Sequence, residues 1–359
     1  MTMDYIKETK DISAEEAIIL WQASRLSLSK SYEKAPEILK VHGSVIGTLG
    51  NFSASIGKAK SKKTFNVSAI VAAALKNGTV LRYVAELPED KRKVLYVDTE
   101  QSPYHCLKVM TRILRMAGLP DDRDNENLEF LALRKYTPEQ RIRIVEQAIY
   151  NTPDIGLVII DGIRDMVYDI NSPGESTRII SKLMQWTDDR QIHIHTILHQ
   201  NKGDENARGH IGTELNNKAE TVLQVEKDKG NGDISHVSAI HIRAMDFEPF
   251  AFRINDKALP ELIEGYKPET KKPGRPEEEK FDPYRHITEQ HRIALEAAFG
   301  LKEEYGYKEL EDALIKIYMS VGVKLNHKKA VSLITMLRNK RMIVQENGRK
   351  YTFMPDFHY

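Results

Sequence analysis

The segment Gly57-Lys-Ala-Lys-Ser-Lys-Lys-Thr64 follows a short apolar stretch and runs directly into the apolar residues 65–75, FNVSAIVAAAL. A glycine-led turn between a strand and a helix can surround an anion with backbone N–H groups, and the positive helix N-terminus faces the same point. Against the pattern G-x-x-x-x-G-K-[ST], Gly57 is the first glycine, Lys63 the lysine and Thr64 the hydroxyl. The stretch therefore predicts a phosphate loop at the start of a helix.

The loop departs from the pattern at Lys62, which stands where the second glycine is expected. Glycine takes a positive φ there without cost, whereas the Cβ of a lysine approaches the following carbonyl. The loop alone leaves two interpretations open, an altered phosphate loop or a basic helix start that only resembles one. Under the first, the nucleotide contacts would come from Gly57, Lys58, Ala59, Lys60, Ser61, Lys62, Lys63, Thr64 and Phe65.

Outward from the loop, short apolar runs alternate with stretches that have apolar residues three and four apart. Continuous apolar strands joined by helices favour an α/β fold with a mainly parallel sheet covered on both faces. After Thr221 the helical stretches stop, and the turn DKGNGD (228–233) predicts a hairpin in an antiparallel extension of the sheet. The predicted core strands are residues 94–98, 128–133, 155–161, 192–199 and 221–227.

Carboxylates end two of these strands, Asp98 and Glu100 in VLYVDTEQSP and Asp161 in IGLVIIDG. A glutamate at the tip of the strand after the phosphate-loop helix can take the proton of a water that attacks a γ-phosphate. An acid at the end of a longer buried strand can lie near Mg²⁺, as in a Walker-B strand. Each acid could be an ordinary strand-end carboxylate, but two of them in this order after the loop favour the hydrolytic interpretation.

A third strand ends in LHQNKG (198–203), which places His199 and Gln200 at the same edge of the sheet. They are positioned to sense a γ-phosphate, or they merely cap the strand. His193 and His195 precede them at alternate positions. Alternate residues on one strand supply two metal ligands at most, so a histidine metal site is disfavoured.

With these residues identified, the chain resembles the RecA-like ATPases, and specifically the RepA-type hexameric helicase group, over roughly residues 35–255. The resemblance rests on SIGKAKSKKTFN, VLYVDTEQSP, LVIIDGIRDM and LHQNKGDENARGHIGTELNNKAETVLQVEK. It implies ATP and Mg²⁺ as cofactors, with Lys63 and Thr64 on phosphates and metal, and Asp161 as the Walker-B acid. Glu100 would be the base, and His199 and Gln200 the sensor.

Such ATPases are similar to ring motors in which a neighbouring subunit supplies an arginine. Arg243, in AIHIRAMDF, lies where the group carries inter-subunit basic residues, and Arg208 is the competitor. Met245 stands where a second basic residue is often found, so that pair is incomplete. The resemblance further implies that loops 162–178 and 200–210 face a channel for single-stranded DNA. Candidates for backbone phosphate contacts there are Arg164, Lys202 and Arg208, unless these loops are simply exposed.

Residues 264–283 hold four prolines and many charges and are predicted to be a linker. Residues 284–359 follow as three helical patterns and a hairpin around Asn347-Gly348, which together describe a winged helix-turn-helix. Eight Lys or Arg against one acid between residues 324 and 350 suit duplex DNA, although many such domains bind protein instead. The third helix would enter the groove. The candidate DNA contacts are Lys328, Lys329, Arg349 and Lys350.

Composition sets broad bounds. The chain has 359 residues, a formal net charge of +1 and one cysteine, Cys106, so a nucleic-acid partner would need local basic patches and no internal disulfide can form. The N-terminus lacks the pattern of a signal peptide, and no run reaches the roughly 18 apolar residues of a membrane span. We expect a soluble, cytoplasmic protein with a helical lead-in (1–40), an ATPase core (41–263), the linker and the winged helix.

Three functions fit these patterns. The first is an ATP-driven DNA motor, a RepA-like replicative helicase or helicase loader of a plasmid or mobile element. The resemblance implies assembly as a homo-oligomeric ring of six subunits. The second is a nucleotide-responsive DNA-binding regulator with slow or no hydrolysis, which the Lys62 substitution favours. The third, a filament-forming recombinase, is disfavoured because no N-terminal polymerisation strand is evident.

Overall fold

The apolar runs form strands because they are rich in Val and Ile and end at Gly, Asp or polar turns. A computed structural model describes residues 12–200, 209–266, 281–285, 288–346 and 350–356. The chain divides into two units, residues 1–268 and 269–359. Each unit has its own hydrophobic core and is described by itself.

The first unit opens with helix α1 (Ala14–Ala23), in which Ser13 and Glu16 form a capping box and no residue is buried. Strand β1 begins at Glu37, a few residues before the predicted start of the core at residue 41. The strands of this unit are β1 (Glu37–Val41), β2 (Ser44–Thr48), β3 (Phe52–Gly57), β4 (Thr79–Val80), β5 (Tyr83–Ala85), β6 (Lys93–Asp98), β7 (Leu128–Ala132), β8 (Ile155–Asp161), β9 (His193–His199), β10 (Thr221–Lys227), β11 (Ile234–Ile242), β12 (Phe250–Ile254) and β13 (Pro260–Ile263). Its further helices are α2 (Lys63–Lys76), α3 (Pro103–Ala117), α4 (Pro138–Asn151), α5 (Pro173–Arg190) and α6 (Gly209–Lys218).

Nine strands form the main sheet in the order β13-β12-β11-β10-β3-β9-β8-β6-β7. The strands from β10 to β7 are parallel, while β10 through β13 pair antiparallel, so the predicted mainly parallel sheet with an antiparallel extension is confirmed. A second sheet, β2-β1-β5-β4, was not predicted from the sequence. Apolar clusters cover both faces of the main sheet, which explains why every residue of β8 is buried.

The parallel order brings the carboxyl ends of β3, β9, β8 and β6 together. Gly57 of β3 pairs with His199 of β9. Asp161 of β8 pairs with Asp98 of β6 on one side and with Ile197 of β9 on the other. Because parallel strands end at one edge of a sheet, four sequence-distant segments meet there. This edge carries the candidate site.

A chain of buried hydrogen bonds crosses β9 and β3 below that edge. The Nδ1 atom of His193 donates to the carbonyl of Thr48 at 2.9 Å, so its Nε2 accepts from Ser53 Oγ at 2.7 Å. Ser53 Oγ then accepts from His195 Nδ1 at 2.7 Å, and His195 Nε2 accepts from Ser55 Oγ at 2.8 Å. Both imidazoles are neutral in this arrangement. Among the described residues no cluster of three or more metal-ligating side chains occurs.

The second unit contains helices α7 (Thr288–Leu301), α8 (Tyr307–Ser320) and α9 (His327–Asn339) and strands β14 (Ile343–Glu346) and β15 (Lys350–Phe353). The two strands pair antiparallel, and a bridge joins Tyr305, between α7 and α8, to Tyr351. The Asn326 side chain caps α9, since it accepts from Lys329 N. The predicted Asn-Gly turn and most of the linker lie outside the described residues. Across the described part of the chain, no helix is long and apolar enough to cross a membrane.

Candidate active site

The predicted phosphate loop lies between β3 and the start of α2. A Cβ on Gly57 would lie 2.3 Å from the carbonyl of Val225, so only glycine fits there. Lys62 has φ 68° and Lys60 has φ 64°, both in the left-handed region, and α2 begins at Lys63. Lys62 therefore adopts the conformation in which glycine was expected, at a cost of roughly 1–2 kcal/mol.

A long-range hydrogen bond holds the substituted loop. The Lys62 ammonium donates to the carbonyl of Asp233, in the turn between β10 and β11, and burial lowers the pKa of this lysine. The Ser61 side chain is buried, and its hydroxyl has no hydrogen-bond partner among the described residues. A phosphate oxygen would supply one, because the loop N–H groups and this hydroxyl line the same cavity.

Lys63 points back under the loop. Its ammonium donates to the carbonyls of Gly57 at 2.8 Å and Lys58 at 2.9 Å, and lies 3.1 Å from His199 Nδ1. Burial lowers the pKa of Lys63 to about 8, against the opposing charges of Asp161 and Glu100. A buried cation whose hydrogen-bond acceptors are all uncharged is poised to bind an anion.

His199 links Lys63 to Glu100. Because its Nδ1 accepts from the Lys63 ammonium, its proton lies on Nε2, which is 3.8 Å from Glu100 Oε1. The neighbouring His199 holds the pKa of Glu100 below its usual value, with smaller contributions from the charges of Lys63 and Arg164. Glu100 is therefore ionised near neutral pH and can accept a proton.

Asp161 lies at the buried end of β8 and accepts from Tyr96 Oη at 2.9 Å and Thr64 Oγ1 at 3.2 Å. Burial, reinforced by the neighbouring Asp98, raises the pKa of Asp161 to about 7. Asp98 is buried as well, and it accepts from the backbone N–H groups of Glu100 and Gln101. Asp98 thus shapes the turn that presents Glu100.

The oxygens of Thr64 and Asp161 fit Mg²⁺. A hydroxyl and a carboxylate already lie 3.2 Å apart, and the carboxylate is buried beside a second acid, Asp98. Hard divalent cations prefer such oxygen ligands. The same residues line a cavity of about 410 Å³ together with the phosphate loop, Glu100 and His199, within the usual size of ligand sites.

The structure also places Arg112 of α3 in this cavity, which the sequence analysis missed. Its guanidinium lies 3.7 Å from the centroid of the Phe65 ring, and burial lowers its pKa. The period of α3 could have indicated it, since Arg112 follows the buried Val109 by three residues.

Two other predicted residues, Gln200 and Arg243, do not line the cavity. Gln200 is buried beside the site, and its backbone N–H donates to the carbonyl of Gly57 at 3.1 Å. Arg243 is exposed just after β11, where it bonds the carbonyls of Glu220 and Lys218. This position is at the amino end of β10, opposite the edge that carries the phosphate loop of its own chain.

The candidate nucleic-acid contacts differ in their surroundings. Arg164 is about half exposed, in a 3-10 turn after β8, and pairs with Asp165 at 3.0 Å. The predicted channel loop 162–178 is shorter than expected, because Ser172 and Pro173 start α5. In the second unit, Lys350 pairs with Glu304 at 2.9 Å. Lys328 is exposed and Lys329 half-buried, its ammonium 6.0 Å from the Phe281 ring centroid, whereas Lys202, Arg208 and Arg349 lie outside the described residues.

Comparisons with known proteins find a family match and a similar solved structure. Residues 30–205, slightly under half of the chain, match the model of a family described as "AAA domain". A solved structure titled "Crystal structure of the RadB recombinase" is similar with a TM-score of 0.42 and 15% sequence identity, covering 58% of this chain and 90% of that chain. No curated protein matches the chain. The family match and the site together support a P-loop nucleotide-binding core.

Proposed function

We propose that this RecA-like P-loop ATPase core hydrolyses ATP to drive work on DNA. The observation that carries the proposal is the meeting of Lys63, Glu100, Asp161 and His199 around one cavity, from four strand ends. Each has a burial and charge suited to one task in phosphoryl transfer to water. The specific role that we propose is that of a replicative helicase, or a helicase loader, of a plasmid or mobile element.

In the proposed mechanism, the phosphate loop and Lys63 bind the β- and γ-phosphates of ATP. Mg²⁺, held by Thr64 and Asp161, would neutralise the developing phosphate charge. Ionised Glu100 takes the proton of the attacking water, and His199 Nε2–H, beside Glu100, is placed to contact the γ-phosphate and sense its loss. Gln200 follows on the sensor strand, and its N–H to the Gly57 carbonyl ties that strand to the loop.

A DNA partner is supported by two groups of basic residues. Arg164 lies in the turn that directly follows the strand of Asp161, and we propose that it contacts single-stranded DNA, with Lys202 and Arg208, in a channel. The second unit has the order helix, bridging residue, two helices and hairpin, which suits a winged helix-turn-helix. Its Lys328, Lys329, Arg349 and Lys350 would contact duplex backbone, with Lys350 first released from Glu304.

Assembly as a homo-oligomeric ring, which we propose to be a hexamer, would give Arg243 a role. This residue is remote from the phosphate loop of its own chain but exposed. A neighbouring subunit could therefore receive its guanidinium at the γ-phosphate, as an arginine finger does.

Substitution Glu100→Gln tests the assigned base. We expect hydrolysis to fall by at least about 100-fold while bound ATP is retained, because the amide cannot accept the proton of water. Exposed Glu126→Gln is the matched control. Normal hydrolysis by Glu100→Gln would show that the base is assigned wrongly.

The alternative is a nucleotide-responsive DNA-binding regulator, which the strained Lys62 favours because it distinguishes this loop from the standard motif. It predicts tight duplex binding by the second unit and no unwinding. A strand-displacement assay on a forked duplex separates the two proposals, since active unwinding excludes the regulator.

A further inference from the structure

Arg141, in the first turn of α4, contacts three loops at the functional edge of the sheet. Its Nε donates to the carbonyl of Leu133 at 3.1 Å, and its Nη2 donates to that of Arg134 at 2.9 Å. The same Nη2 lies 3.4 Å from the carbonyl of Thr99, and Nη1 donates to that of Asp165 at 2.6 Å. The planar guanidinium therefore joins the loops after β7, β6 and β8.

Thr99 is the residue immediately before Glu100, and it is buried. Its hydroxyl lies 2.9 Å from the carbonyl of Gly162 and 3.2 Å from Asp165 Oδ2. A Cβ on Gly162 would lie 2.2 Å from Thr99 Oγ1, and this glycine has φ +100°. The two segments are packed too closely for one to shift without the other.

Asp165 continues this contact to the surface. Its Oδ1 accepts from Arg164 Nη1 at 3.0 Å, while its Oδ2 faces Thr99 and its carbonyl faces Arg141. A continuous set of bonds thus runs from an exposed arginine to the residue beside the proposed base. A polyanion that binds Arg164 would compete directly with the Asp165 carboxylate for the guanidinium.

We infer that Arg141 and Asp165 are positioning residues, which hold the Glu100 turn and the Arg164 turn as one unit and let DNA phosphate adjust the base. The inference rests on the proposed function. Capture of Arg164 by phosphate frees one carboxylate oxygen of Asp165, and Arg141 limits the movement that follows to the joined turns. DNA then stimulates hydrolysis, because the position of the Glu100 carboxylate depends on which anion Arg164 contacts.

The test compares the wild type, Arg141→Lys and Arg143→Lys, each as the full chain. Arg143 is exposed on the same helix and serves as the matched control. Lysine keeps the charge at position 141 but cannot bond four carbonyls in a plane. We expect kcat to fall at least about 10-fold and the stimulation by oligothymidylate to vanish, with KM for ATP within about two-fold of wild type.

Wild-type kcat and stimulation in Arg141→Lys would overturn the inference, as would a loss confined to KM. If Arg141→Lys does not fold, Asp165→Asn decides, because it keeps the shape and the backbone bond to Arg141 while weakening the Arg164 pair. It is expected to lose the stimulation at unchanged KM, and wild-type stimulation would overturn the inference. A wild type that hydrolyses no ATP refutes the proposed function and the inference with it, whereas a DNA-stimulated wild type with wild-type-like variants refutes the inference alone.

Discussion

The buried histidine chain below the phosphate loop makes the first unit sensitive to acid. His195 is fully buried, and desolvation with the neighbouring His193 lowers its pKa to about 3, against roughly 6.5 in an unfolded chain. Buried, neutral His195 therefore carries no free-energy cost of unprotonated burial above roughly pH 6.5, where the unfolded chain is neutral too. As the pH falls from about 6.5 toward 3, the unfolded chain takes up a proton that the folded chain does not, and the free energy of unfolding decreases. Between pH 7 and pH 5 this one residue costs about 2 kcal/mol of unfolding free energy.

Asp161 acts in the opposite direction. Burial raises its pKa to about 7, so its native form gains a proton before the unfolded chain does, and acid favours folding at this residue. Because the two residues oppose each other, the pH dependence of the unfolding free energy is compared between wild type and a His195 variant. His195→Asn keeps a donor toward Ser53 but cannot titrate, and its unfolding free energy should fall less than that of wild type by about 2 kcal/mol from pH 7 to pH 5.

Urea unfolding followed by tryptophan fluorescence measures this difference. Of the two tryptophans, Trp186 is fully buried in the first unit and Trp21 is exposed, so the signal reports that unit. Exposed His105→Asn is the control, expected to show the pH dependence of wild type. The reasoning is refuted if His195→Asn and wild type lose equal stability between pH 7 and pH 5.

Two further predictions concern the phosphate loop. Lys62→Gly should retain nucleotide affinity within about two-fold, measured by equilibrium binding of a fluorescent ATP analogue. Lys62→Val should weaken that affinity at least about 10-fold, because a β-branched residue is an outlier at φ 68°. Equal affinities of the two variants would contradict the strain assigned to Lys62. Gly57→Ala should lower the unfolding free energy by about 1–3 kcal/mol, because its Cβ would overlap the Val225 carbonyl. Gly174→Ala, whose Cβ meets open space, is the control for urea unfolding, and a Gly57→Ala protein as stable as this control would argue against the close approach.

Much of the first unit follows from periodicity. The five predicted core strands and their helices appear because continuous Val- and Ile-rich runs suit a sheet buried on both faces. The order of those strands then brings Asp98, Asp161 and His199 to one edge, which rules of parallel topology anticipate. The sequence could not indicate the small sheet of β1, β2, β4 and β5, since its strands are short and irregular in pattern.

The missed features share a physical cause. Arg112 and Arg141 are helix cations, which in sequence look like any solvated arginine. The period of α3 places Arg112 on the side of the buried Val109, but packing is needed to show that it lines the cavity and that Arg141 bonds backbone carbonyls. The interactions of the Lys62 side chain could not be predicted for the same reason. Its left-handed φ could be foreseen as a cost, but the carbonyl of Asp233 that receives its ammonium lies far along the chain.

The most direct measurement is ATP hydrolysis by wild type and Lys63→Ala, each with and without single-stranded DNA. Lys63 is buried under the loop with its ammonium on the Gly57 and Lys58 carbonyls, so alanine removes the cation that the γ-phosphate would meet. We expect that wild type hydrolyses ATP faster with DNA and that Lys63→Ala hydrolyses none. Hydrolysis that persists in Lys63→Ala, or its absence from wild type in every condition, would contradict it, and the second result would favour the DNA-binding regulator.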